Sequence, residues 1–144
     1  MQGTARRVLL AILLVGLAGT GVELLLLGHD ESAAQLIPLV LIGASLGLLV
    51  WHLLRPGPTI ARLIKATMAL MVASGVLGMV LHYMGNVEFQ RETNPAIAGF
   101  DLFWKVMRAK APPALAPGLM AQLGLLGLLY AFTHPAPDRA RDGP

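Results

Sequence analysis

The sequence predicts an all-α integral membrane protein: an antiparallel bundle of four transmembrane helices, with an amphipathic interfacial helix between the third and fourth spans. Three observations predict it. Hydrophobic residues make up 56% of the 144 and charged residues only 13%, against about 45–50% and about 25% in soluble domains, so too few polar groups exist to cover a soluble surface. The apolar residues gather into four runs, at 8–27, 36–54, 60–83 and 115–133, each near the roughly 20 residues that carry a helix across about 30 Å of hydrocarbon. The runs are continuous, whereas barrel strands alternate in segments of about 10 residues.

The first run follows Arg6-Arg7 and contains the small residues Leu17-Ala18-Gly19, as a signal peptide would. Its apolar stretch continues to Leu27, beyond an ordinary signal core of about 7–15 residues, so it is read as a retained span. His29 to Gln35 is a short link, which makes spans one and two antiparallel neighbours. Arg55-Pro56-Gly57-Pro58 stops the second helix and restarts the third. The long connection from Gly85 to Pro113 contains Asn94-Pro95, read as an N-cap with proline at the first helical position. Ile97, Phe100, Phe103, Trp104 and Met107 then recur at helical spacing opposite Asp101, Lys105 and Arg108. This predicts a helix over 95–109 that lies on the outer membrane surface or folds over the bundle as a lid. Residues 1–134 form one domain and 135–144 a disordered tail.

Charge sets the orientation. With the N-terminus inside, Arg6, Arg7, Arg55, Arg62, Lys65, Arg139 and Arg141 are cytoplasmic, against Arg91, Lys105, Arg108 and Lys110 outside, so both termini face the cytoplasm. Trp51 and Tyr130 then belong to an inner aromatic belt and Tyr83 to an outer one. Arginine in excess of lysine, with abundant Ala, Leu and Gly, points to a bacterial inner membrane.

Several functions are excluded at once. The chain has no cysteine, hence no thiolate metal site or Cys nucleophile. A net charge of +3 is too small a footprint for nucleic acid. There is no Gly-rich phosphate loop after a strand, no nucleophile elbow and no HExxH, so nothing marks an enzyme.

Small residues mark helix contacts in lipid. Gly16, Gly19, Thr20, Glu23 and Leu27 share one face of the first span, and Thr67, Met71, Ser74, Gly75, Gly78 and His82 share one face of the third. These two faces are expected to pack on each other or on a partner. Gly43 and Gly47 form a GxxxG on the second span, while Ala121, Gly124 and Gly127 line the fourth. Met68, Met71, Met79 and Met120 are read as core filler.

The candidate polar site is Glu23, His82, His29 and Glu88. Glu23 lies about one turn inside the outer end of the first span, and a carboxyl there must be protonated, paired or wetted. His82 sits at similar depth on the third span, so the two are expected to meet, with His29, Asp30, Glu88 and Glu92 just above. Imidazole and carboxylate suit a zinc, manganese or iron ion, or a proton relay. No pair has a tight ligand spacing, which favours a plain hydrogen bond between helices. Four histidines on four helices also raise two stacked b-type haems; His52, opposite Gly43 and Gly47, is expected to face lipid headgroups, which argues against that. Arg62 and Lys65 are expected to snorkel to headgroups, anionic lipid among them.

The expected function is a non-enzymatic accessory or assembly subunit of a larger inner-membrane complex. It would hold no cofactor, sit in the bilayer, and bind a protein partner or a second copy through its small-residue faces and outer helix. Proton-coupled or ion transport through Glu23 and His82 is one alternative, and a metal- or haem b-binding redox protein is another.

Overall fold

The computed structural model describes residues 3–133. Among them it is all-helical: α1 (Gly3–Leu26), α2 (Ala33–Leu54), α3 (Pro58–Thr93), α4 (Gly99–Met107) and α5 (Gly118–Phe132). Helices α1, α2 and α3 are each long and apolar enough to cross a membrane. Helix α5, at 15 residues, is about 22 Å long. The expected tail, with His134, Arg139 and Arg141, lies outside the described residues.

Local chemistry sets the helix ends. At the end of α1, Gly28 takes φ +65°, open to glycine without steric cost. The His29 amide reaches the Leu24 carbonyl at 2.9 Å and the Gly28 amide the Leu25 carbonyl at 3.1 Å, which closes a Schellman motif. Ser32 caps α2, its hydroxyl oxygen accepting from the Gln35 amide at 3.3 Å. The helix therefore starts a turn earlier than the apolar run. Helix α2 ends at Leu54 and α3 begins at Pro58, as the Pro-Gly-Pro turn predicts.

Other boundaries also differ from the sequence expectation: α1 starts at Gly3 and α5 at Gly118, against 8 and 115. Helix α3 does not stop at Tyr83 but runs 36 residues to Thr93, about 54 Å, well over the thickness of a hydrocarbon core. Residues 84–93 are mostly polar, so hydropathy marks a boundary there although the backbone hydrogen bonding continues. Asn94 is the C-cap of α3, and its side-chain oxygen accepts from the Ala96 amide at 3.3 Å in a turn. Helix α4 consequently starts at Gly99 rather than Pro95.

Helix α1 lies against α2 and α5, and α3 lies against α2, α4 and α5. The predicted packing of α1 on α3 is replaced by these neighbours. The tightest contact is between α3 and α5, in a register that runs from Gly78 beside Pro117, through Gly75 beside Ala121 and Gly124 beside Met68, to Lys65 beside Phe132. Glycine is required there: a Cβ on Gly75 would stand 2.5 Å from the Ala121 nitrogen, and one on Gly124 2.7 Å from the Met68 carbonyl oxygen. Gly16 meets Leu123, and Gly127 meets the Met68 side chain. By contrast Gly19, Gly43 and Gly47 have open space where a side chain would go. Half-buried Ser74 joins neither α1 nor a hydrogen bond. The core is Leu13, Leu17, Ile42, Leu49, Ile64, Met68, Met71, Met120 and Leu123. Ser45, fully buried in it, satisfies its hydroxyl on the Leu41 carbonyl at 2.7 Å and lies 3.1 Å from the Met71 sulfur.

Candidate functional site

The polar chemistry sits at the two ends of the molecule. At the end distal to the N-terminus, α3 continues past its apolar part and α4 turns back along it. Ile97, Leu102 and Val106 pack on Tyr83 and Val87 to make a small second core. The face of α4 that packs within the chain is Leu102 and Val106. Phe100, Phe103 and Trp104 stand exposed instead. Phe100 stacks on Trp104 (6.2 Å between centroids, 14°), and the Arg108 guanidinium lies 5.9 Å over the Trp104 ring. Leu102 and Val106 lie on the same broad apolar arc as the aromatic residues, opposite Asp101, Lys105 and Arg108, so periodicity does not tell which part of that arc turns inward.

The chain returns to α5 through a proline strap held by two side chains one turn apart on α3. Asn86, buried, donates from Nδ2 to the Pro112 carbonyl at 2.9 Å. His82 is 3.0 Å from the Pro113 carbonyl through Nδ1; a carbonyl only accepts, so Nδ1 carries the hydrogen. An open cleft of 330 Å³ runs beneath the strap, lined by Leu81, His82, Gly85, Asn86, Phe89 and Pro112. Asn86 is the residue that sequence reasoning missed. Its signal was a second polar side chain four residues after His82 where the apolar run gives way.

Glu23 is exposed on α1, and no hydrogen bond or ion pair among the described residues joins it to His82. The two helices have other neighbours, so the shared depth does not bring these residues together. His29 is held in the α1 turn through its backbone, and Glu88 is exposed on the far segment of α3. Among the described residues, no group of three or more His, Asp or Glu side chains is placed to hold a metal ion.

At the N-terminal end, Arg6, His52 and Tyr130 come together from α1, α2 and α5. Arg6 donates through Nη2 to the Tyr130 hydroxyl at 3.3 Å, with its guanidinium 5.0 Å over the same ring. His52 meets Tyr130 edge to face at 6.3 Å. His52 is only 4% exposed and Tyr130 2%. The expected lipid-facing histidine and belt tyrosine are therefore internal, because the side of α2 away from Gly43 and Gly47 is its protein-facing side. Lys65 lies 4.4 Å over the Phe132 ring. The cluster ties the ends of three helices together.

Comparison with protein families, with curated proteins and with solved structures gives no match. The fold defines the class: an all-helical protein, among the described residues, with three helices long and apolar enough to cross a membrane and a few polar side chains that fasten its elements at both ends.

Proposed function

We propose that this chain is a small non-enzymatic membrane protein, an accessory or assembly subunit of a larger complex in a bacterial inner membrane. In this reading α1, α2, α3 and α5 form an antiparallel four-span bundle with both termini cytoplasmic. The α3–α5 register supports antiparallel crossing. Orientation rests on charge: Arg6, Arg7, Arg55, Arg62 and Lys65 gather at one end, which carries no acid among the described residues.

The observation that carries the proposal is the aromatic face of α4. Phe100 is 73% exposed and Trp104 51%, on a hairpin that continues beyond the apolar part of α3. Stacked, preordered rings of this kind form interface anchors. The glycine faces of α3 and α5 are consumed within the chain, so the α4 face is left for a protein partner. A proton path or metal centre through Glu23 and His82 draws no support from this geometry.

The test is purification from native membranes in a mild detergent, wild type beside Phe100→Ser/Trp104→Ser. A stoichiometric partner retained by the wild type and lost from a folded double variant is the expected result. A wild type that elutes alone, or a partner held equally by both, overturns the proposal.

A further inference from the structure

We propose that the outward groove on the C-terminal half of α2 binds one anionic phospholipid, its phosphate on Arg55 and an acyl chain along Gly47. This groove encloses 350 Å³ and is lined by Gly47, Val50, Trp51, Leu54 and Arg55. Those positions recur at three and four residues, so they form one stripe of α2 that ends at the C-cap. Gly47 forms the floor, and Gly43 continues the same stripe one turn further on; neither has anything within 4 Å of a side-chain position. Trp51 and Leu54 project as walls, both largely exposed. Apolar length, an indole, then a cation is the order in which a phospholipid presents its chain, its ester region and its phosphate.

Charge selects an anionic occupant. The five cations at this end face no acid among the described residues: Glu23, Asp30, Glu31, Glu88, Glu92 and Asp101 all lie towards the other end. Three of the cations already have partners within the chain, Arg6 on Tyr130, Lys65 on Phe132, and Arg62 on the Pro58 carbonyl at 3.4 Å. Arg55 makes no side-chain hydrogen bond or ion pair with the described residues, and it stands at the mouth of the groove. A second copy is the poorer occupant. Parallel pairing through Gly43 and Gly47 would set the two cationic ends side by side, Arg55 near Arg55 and with no acid between them among the described residues, at a cost in like-charge repulsion. The inference does not rest on the partner proposed for α4, nor on which leaflet holds this end.

The chain has two tryptophans, so Trp104→Phe leaves Trp51 as the only indole, placed in the groove wall. The full chain is reconstituted in phosphatidylcholine vesicles carrying increasing fractions of brominated phosphatidylglycerol or brominated phosphatidylcholine, and Trp51 quenching gives the relative affinity of the two lipids. One cation near an anionic headgroup predicts a preference of about fivefold for phosphatidylglycerol. Arg55→Gln should bring that ratio close to one, while Arg7→Gln, which removes the same charge outside the groove, should leave it unchanged. Helicity by circular dichroism checks that each variant is folded. Equal quenching by the two lipids overturns the proposal, as does an equal loss in Arg7→Gln, which would make the preference a diffuse surface charge. Trp51 shielded from both lipids also overturns it, because a protein then covers the groove.

Discussion

Gly75→Ala and Gly43→Ala are the same chemical change in the middle of two apolar helices, yet the geometry predicts opposite effects. A Cβ at position 75 would meet the Ala121 nitrogen at 2.5 Å and the Pro117 carbonyl oxygen at 2.9 Å. Ordinary contact begins near 3.4 Å, and both obstacles are backbone, so α3 and α5 must part by about 1 Å. Overpacking of this kind costs about 1–3 kcal/mol, and two backbone clashes place the value at the upper end. The helix-propensity gain of alanine over glycine, about 1 kcal/mol, offsets part of it and leaves a net loss near 2 kcal/mol. At Gly43 there is no obstacle within 4 Å, so only the propensity gain operates and stability rises by up to about 1 kcal/mol. The assay is reversible unfolding in mixed micelles titrated with dodecyl sulfate and followed by far-UV circular dichroism. The two variants should differ by about 3 kcal/mol, with Gly124→Ala beside Gly75→Ala. Equal midpoints for Gly43→Ala and Gly75→Ala would falsify the close α3–α5 contact.

Three further outcomes follow from single contacts. Tyr130→Phe keeps the ring under Arg6 but removes the hydroxyl that accepts at 3.3 Å; it should cost about 0.5–1.5 kcal/mol, and Arg6→Ala more, in the same titration. Asn86→Leu frees the Pro112 carbonyl and loosens the strap, so trypsin should cut after Lys110 severalfold faster while the spans stay protected; an unchanged rate would remove Asn86 from that role. Ser45→Ala deletes a hydroxyl buried between α2 and α3, for which the loss in a membrane interior averages about 0.6 kcal/mol.

Composition and run length made the helices legible in the sequence, because a backbone in hydrocarbon must satisfy its own hydrogen bonds and the apolar residues must be contiguous. The turns were legible for equally local reasons, with the Pro-Gly-Pro break appearing at the expected place. Hydropathy failed at residue 83. It senses where lipid ends, whereas α3 ends only where its backbone hydrogen bonding does, at Asn94. Helical faces were harder to read. Glycine at three- and four-residue spacing occurs both where helices touch, as at Gly75 and Gly124, and where one helix faces outward, as at Gly43 and Gly47. The sequence pattern is the same in the two cases, and only the neighbouring helix distinguishes them.

The same ambiguity governs His52. A glycine face read as the inner one sends His52 toward lipid; with that face turned outward, His52 is buried against Tyr130 and Gly47 opens to the exterior in a single rotation of α2. The two observations are therefore one fact seen from both sides of the helix. A substitution at either side tests it: Gly47→Leu adds volume where nothing stands, and His52→Leu removes a ring packed on Tyr130. If α2 is oriented as described, Gly47→Leu should leave the unfolding free energy at the wild-type value or raise it by up to about 1 kcal/mol, the propensity gain on leaving glycine at an unobstructed position. His52→Leu should lower it by at least 1 kcal/mol, since a buried edge-to-face ring contact is worth about 0.5–1.5 kcal/mol beyond its area. A reversed order would turn α2 around and with it remove both the Arg6–His52–Tyr130 cluster and the groove at Arg55.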